Sequence, residues 1–170
     1  SRRQRQMCIR DSDGTVNFIV QQDNFCVMIA YYEKGQGKFG LIYNVMADQL
    51  FYGGGQFDVY CNDKLLSPYK RRPLDRCLVG SNAAMYAKNY HGIKGFIDKT
   101  LGVRVYGGAG LSMSKVLSGQ ILAYFSVIYP WDYAAASIMG KKLGYQLETI
   151  TGELLDYSSR QAVMLLSLIH

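Results

Sequence analysis

Two carboxylate-bearing stretches could do chemistry. Asp11, Asp13 and Thr15 crowd around Gly14 in MCIRDSDGT, and Asp132 follows Trp131 in WDYAAA. Carboxylates gathered beside a hydroxyl suit a hard divalent cation, which prefers oxygen ligands. Taken singly, each stretch is a weak signal: an Asp-Gly pair is usually a turn, and an Asp that opens a helix is usually its cap. Other chemistries lack material. His91 and His170 are the only histidines, so neither a His-based metal site nor a Ser-His-Asp triad has the parts it needs. Cys26, Cys61 and Cys77 are widely spaced with no CxxC, which suits reduced thiols in a cytoplasm better than a disulfide frame or a zinc site.

The two ends of the chain are related to each other at the level of DNA. LSLIH at residues 166–170 back-translates to a string whose reverse complement, GTGTATAAGAGACAG, gives MCIRD in a shifted frame at residues 7–11. With RRQRQ upstream, the string resembles the transposon-end adapter used to prepare sequencing libraries. Residues 1–12 and 166–170 are therefore read as translated adapter and kept out of fold reasoning. The alternative is a natural basic arm for nucleic acid or an anionic surface; an arm would need no inverted counterpart at the far terminus.

This exclusion changes the bulk properties. Arg2, Arg3, Arg5 and Arg10 against Asp11 supply +3 of the formal +6, which leaves +3, too little to argue for nucleic acid as a partner. Hydrophobic residues make up 49% of the chain, enough for a core. No apolar run approaches a membrane span, so no membrane partner is expected.

Several elements must position the two carboxylate stretches. FCVMIAYYE, KFGLIYNV, QLFYGGG and FDVYCND alternate with turns and predict an antiparallel meander whose apolar faces need cover, which helices further upstream would supply. SPYKRRPLDR, with two prolines and the cations Lys70, Arg71, Arg72 and Arg76, is the expected boundary between a metal-binding lobe remnant at 13–74 and an α/β lobe at 75–165. After it the period changes. CLVG, VRVY and ILAYFSVI predict strands. NAAMYAKNY capped by Ser81 or Asn82, GFIDKTLG stopped by Gly102, AGLSMSKVLSG closed by Gly119, and DYAAASIMGKKLG after Pro130 predict helices. YQLETITGELLDY predicts a hairpin around Thr151 and Gly152.

Together the two motifs on this background resemble the inositol monophosphatase family of magnesium-dependent sugar phosphatases. DGTVNF at Asp13 to Phe18 matches the end of the family's Asp-Pro-hydrophobic-Asp-Gly-Thr-x-Asn-Phe pattern, and WDYAAASIMGKKLG matches its Trp-Asp signature. Between them, FGLIYNVMADQLFYGGG, CNDKLL and RVYGGAGLSMSKVLSGQILAYF are similar to family segments, so the likeness runs from Asp13 to Leu165. The resemblance implies an α/β (α+β) layered αβαβ sugar-phosphatase fold, truncated at its N-terminus, from a cytoplasmic and commonly dimeric enzyme. It implies Mg2+ as cofactor, Asp13 and Asp132 as metal ligands, and Thr15 as the residue that orients the attacking water. The amides of Gly14 and Thr15 would hold phosphate, and Gly107 and Ala109 would line the substrate pocket. For Gly107 and Ala109, close helix packing explains the small residues equally well.

Departures from the pattern bear on activity and substrate. Arg10 stands where the family has its first aspartate, with Asp11 as a decoy at the proline position, and the upstream glutamate ligand has no counterpart. The chain as written is expected to be inactive, and its parent to hydrolyse phosphate monoesters. Phe125 stands where many relatives place a sugar-contacting glutamate, Lys142 where an acid is common and Ala136 where Gly often occurs. These cast doubt on inositol phosphate itself. A phosphatase for nucleotide 3'(2'),5'-bisphosphates or another sugar phosphate is the alternative within the superfamily. A non-catalytic RNA- or protein-binding member is the alternative of another class, against which Asp13, Thr15 and Asp132 argue.

Overall fold

Strands with one buried face build the first half of the protein. The computed structural model describes residues 6–167; Arg2, Arg3, Arg5 and His170 lie outside the described residues. β1 (Gln6–Asp13) leads through α1 (Thr15–Gln21) to β2 (Cys26–Glu33), β3 (Gln36–Asn44), β4 (Gln49–Gly54), β5 (Phe57–Cys61) and β6 (Lys64–Leu65). These six strands form one antiparallel sheet in sequence order. Cys26, Met28 and Ala30 of β2 are buried while their neighbours are half-buried, the alternation a one-sided sheet requires.

The second sheet is mixed. β7 (Leu78–Ser81), α2 (Ala83–Ala87), α3 (Ile93–Ile97), β8 (Gly102–Arg104), α4 (Ala109–Leu117), β9 (Ala123–Ile128), α5 (Pro130–Lys142), β10 (Tyr145–Thr149) and β11 (Gln161–Ser167) follow in order. The spatial order is β10-β11-β9-β7-β8, with β7 parallel to β8 and β9, and β11 antiparallel to β9 and β10. Asn82 caps α2, its side-chain oxygen accepting the amides of Ala84 and Met85.

α4 and α5 lie between the two sheets, α5 touching β2, β3, β4 and β10 and α4 touching β9 and β11. Backbone-to-backbone approach brings α5 so close. A side chain at Gly40 would collide with the carbonyl of Ala135, and one at Gly54 would sit 2.7 Å from the carbonyl oxygen of Ile138. Ala134, Ala135 and Ala136 answer with the smallest side chains a helix offers, so Ala136 serves packing. The layers read sheet, helices, sheet, helices. The mixed α/β class expected from the sequence is met, as an antiparallel sheet and a mixed sheet with helices.

Several sequence expectations need correction. Residues 6–12 pair with residues 27–33 of β2, and Leu166 and Ser167 pair with Gln146 and Tyr145 of β10. A backbone ladder accepts any non-proline segment of suitable length, which is why a stretch set aside on other grounds still pairs. The connection near residue 74 runs between the two sheets, and α5 packs on both. Gly102 opens β8 instead of stopping a helix, and α3 ends at Ile97. The partner of β10 is not residues 153–157 but β11. Thr149 Oγ1 takes the amide of Glu153 at 2.8 Å, Gly152 turns with φ 81°, and the chain then loops out, leaving Leu154 92% exposed, before Val163, Leu165 and Ser167 supply the buried alternation.

Candidate active site

Asp13 is the last residue of β1, where the strand hands over to α1 through Gly14 in the left-handed region (φ 83°). A Cβ at Gly14 would lie 2.7 Å from the carbonyl oxygen of Asn24, so both conformation and space call for glycine there. The carboxylate of Asp13 reaches α4, where its Oδ2 accepts the amide N–H of Gly110 at 2.7 Å. Gly108, the residue before α4, offers no side-chain cap, and Asp13 stands in for one from far along the chain.

Asp132 lies in the first turn of α5. Its Oδ2 accepts the amide N–H of Tyr129 at 2.8 Å, the backward reach of a capping acid. Asp13 and Asp132 line one cavity of about 280 Å³, together with Gly107, Gly108 and Ala109 from the start of α4 and Ser81 and Asn82 from the end of β7. Each carboxylate thus has one oxygen committed to a backbone amide.

The electrostatics are those of crowded, partly buried acids. Burial pushes the carboxyl of Asp132 up to about 6, with the charges of Asp13 and Asp11 adding to the rise and the Tyr129 amide opposing it. Asp13 is raised mainly by burial as well, against the lowering effect of the Gly110 and Ala109 amides. Asp11, two residues before Asp13 on the same face of β1, adds its charge to that rise and is no bystander. Behind Asp13 the thiol of Cys26 sits 3.8 Å from Oδ2, and burial pushes it up, so it is an inert neighbour. All four cysteines are free thiols. Among the described residues, no three His, Cys, Asp or Glu side chains are arranged to hold a metal ion. Two carboxylates with raised pKa values lining one cavity nevertheless fit a hard divalent cation, which keeps several waters when protein ligands are few.

The remaining residues singled out in the sequence are placed as follows. Gly14 and Thr15 adjoin Asp13 in the chain but do not form the cavity wall. Gly107 and Ala109 do, and Gly107 also has a packing reason. A Cβ there would lie 2.7 Å from the side chain of Asn17, which ties α1 to the loop before α4 by donating to the carbonyls of Asn24 (2.9 Å) and Tyr106 (3.2 Å). Phe125 faces the other side of the second sheet, packed on Phe96 with ring centroids 5.8 Å apart, so it does not stand in the cavity. Lys142 pairs with Asp58 at 3.5 Å, ten residues and about 15 Å along α5 from Asp132.

The cavity has walls that sequence reasoning missed. Tyr124 and Ser126, on the opposite face of β9 from Phe125, line it with Ser112. Burial pushes the Tyr124 hydroxyl up to about 12, and it hydrogen-bonds Ser126 and Ser112. Two hydroxyls alternating within the apolar run AYFSVI were the available signal. Arg160, at the loop end before β11, also lines the cavity, and no pattern in its neighbourhood announced it.

The match to the inositol monophosphatase family model spans residues 13–166, nearly the whole described chain. The chain belongs to the inositol monophosphatase family. It is 33% identical over 157 residues to the inositol-1-monophosphatase of Bacillus subtilis, covering 89% of this chain and 59% of that protein. It thus spans about three fifths of the length of that relative. Among solved structures, the inositol-monophosphate-bound form of SaIMPase-II superposes with a TM-score of 0.89 at 28% identity, over 96% of this chain and 65% of that one. An IMPase/NADP phosphatase complexed with Mg2+ and phosphate shares the fold, with a TM-score of 0.87 at 23% identity over 96% and 62% of the two chains. No helix among the described residues is long and apolar enough to cross a membrane.

Proposed function

We propose that the parent of this chain is a magnesium-dependent phosphomonoesterase of inositol-monophosphatase type, and that Asp13 and Asp132 are two of its ion ligands. The observation that carries this reading is the convergence of these two family aspartates on one cavity, each aimed by a backbone amide. Bound Mg2+ would supply charge against the phosphate oxygens and the leaving alkoxide, and a water made more acidic.

The protein's own residues would do the rest. The amides of Gly110 and Tyr129 aim the two carboxylates and would keep them aimed when the cluster is fully ionised. Thr15 would orient the attacking water, and the Gly14 and Thr15 amides would hold phosphate oxygens. Gly107 and Ala109 would leave room for the substrate's hydroxyls beside the backbone. The chain as written would not turn over: Arg10 occupies the place of the family's first aspartate, and the upstream glutamate has no counterpart. On this reading residues 1–12 and 166–170 are adapter translation, and the uninterrupted gene restores both ligands. A nucleotide-bisphosphate or other sugar phosphatase would use the same ion site, so the cavity walls decide between substrates.

The test is an assay of the intact gene product, read across Asp13, with inositol 1-phosphate and other sugar phosphates. Phosphate release that needs Mg2+ is expected. Metal-independent release, or none with any phosphate ester, would favour the non-catalytic binding role instead.

A further inference from the structure

The second sheet has a cavity on each face. β9 sends Tyr124 and Ser126 to the acidic one, while Ala123 and Phe125 line another of about 840 Å³, a size that encloses a small organic molecule. α3 covers only part of this outer face: its Phe96 packs on Phe125, and Phe96 and Ile93 wall the cavity. On β11, Val163 and Leu165 are fully buried, but Met164 and Leu166, which alternate with them and line the cavity, stay half-buried.

The lining divides by chemistry and by depth. Leu122, Ala123 and Phe125 are 2%, 1% and 6% exposed, whereas Arg71, Arg72 and His91 line the same cavity and are exposed. None of the lining residues is an Asp or Glu, and among the described residues neither arginine lies within ion-pair distance of a carboxylate. The two arginines stand on a pinned segment. The buried Cys77 thiol donates to the Pro73 carbonyl at 3.2 Å and lies 3.2 Å from the hydroxyl of the buried Tyr69, which holds the chain on both sides of Arg71 and Arg72. The amide of Arg76 donates to the Pro73 carbonyl as well, at 2.9 Å. A held backbone reduces the entropy lost when the guanidiniums take up an anion.

We infer that this cavity is a binding site for an amphiphile with one anionic head, of the long-chain carboxylate class, its head at Arg71 and Arg72 and its chain over Phe125 and Met164. A neutral apolar ligand would leave the two guanidiniums without a partner. A polyanion would have no use for the apolar floor. A carboxylate on an alkyl chain satisfies both, through charge-assisted hydrogen bonds at one end and burial of methylenes at the other. The site stands on its own lining and does not depend on the reaction assigned to Asp13 and Asp132.

The experiment measures binding of octanoate, decanoate and 1-decanol to the 170-residue chain by calorimetry at pH 7.5, for wild type, the double variant Arg71→Gln/Arg72→Gln, and Met164→Trp, which puts an indole into the cavity. Wild type should bind decanoate about ten-fold tighter than octanoate, the scale of two buried methylenes. It should also bind decanoate about ten-fold tighter than 1-decanol, the scale of one charge-assisted contact. R71Q/R72Q should bring decanoate within about two-fold of 1-decanol and keep the chain-length step, and M164W should lose all three ligands. R71Q/R72Q alters exposed side chains only, so its result stands even where M164W does not fold. Equal binding of decanoate and 1-decanol in wild type, a preference that survives R71Q/R72Q, binding that survives in folded M164W, or no binding by folded wild type would overturn the site. So would a concentration-dependent dimer in sedimentation that M164W dissolves and decanoate leaves intact, because the face would then belong to a second copy of the chain.

Discussion

Asp13 closes the N-terminal end of α4 from 97 positions away, its Oδ2 accepting the Gly110 amide at 2.7 Å. This gives Asp13 a structural duty beside its proposed role as an ion ligand, and substitutions separate the two. Asp13→Ala removes the cap and should cost about 1 kcal/mol of stability. Asp13→Asn keeps an acceptor for Gly110 and sheds a charge that burial disfavours, so its metal-free unfolding temperature at neutral pH should equal or exceed that of wild type. Both variants should lose Mg2+ binding. Thermal unfolding with and without Mg2+ checks each outcome.

The raised carboxyls make a prediction about pH. Asp132 is pushed up to about 6, above its ordinary range, so the native state holds a proton that the unfolded chain releases near pH 4. Its contribution to stability is fully present below about pH 4 and is lost as pH rises through about 6. Asp13 shifts the same way. Asp156, held low by the amide of Ser158, contributes in the opposite sense, but its contribution is lost only as the pH falls below the ordinary carboxylate range. The metal-free chain should therefore unfold at a higher temperature at pH 5 than at pH 7.5. Asp132→Asn should flatten that difference.

A pair of glycine substitutions tests how closely Asp13 is seated. A Cβ at Gly108 would stand 2.6 Å from Asp13 Oδ2, on backbone that any residue can adopt, so the effect is steric alone. Gly108→Ala should cost about 1 to 3 kcal/mol and weaken Mg2+ binding by displacing the carboxylate. Gly95 lies inside α3 with open space where a Cβ would go. Gly95→Ala should instead raise stability by about 0.5 to 1 kcal/mol and leave Mg2+ binding alone. Chemical denaturation of both variants measures the contrast.

The hydroxyl cluster beneath the acids gives another test. Tyr124 is buried against Ser126 and Ser112. Tyr124→Phe should cost about 0.5 to 1.5 kcal/mol, the net worth of a buried hydrogen bond. Denaturant unfolding of Y124F reads it directly; an unchanged midpoint would mean that the cluster is satisfied without the phenol.

Much of the fold was legible because its signals are local. The turns of the first sheet announce themselves through KGQGK, Ala47-Asp48 and the glycines after Tyr52, and α5 through Pro130 and Gly144. Where partners are distant, local signals fail. Apolar residues in GELLDY suggested a returning strand, but burial alternates only from Val163 onward, and nothing in the loop itself reveals that. Asp13 and Asp132 were found through their motifs, while the amides that aim them belong to Gly110 and Tyr129, residues whose side chains have no part in the contact. The family resemblance put Phe125 at a sugar-contacting position, yet the side chains of β9 that face the pocket are those of Tyr124 and Ser126. Arg160 reaches the cavity because β11 pairs with β9, a relationship set by the register of two strands that meet only in the folded chain.

Magnesium binding by this chain at pH 7.5, followed by calorimetry in wild type, D13N and D132N, tests most directly whether the two aspartates hold one ion. Weak binding at a single site in wild type, lost in either variant, is the predicted result. Binding unchanged in both variants, or no binding in a wild-type chain shown to be folded, would contradict it.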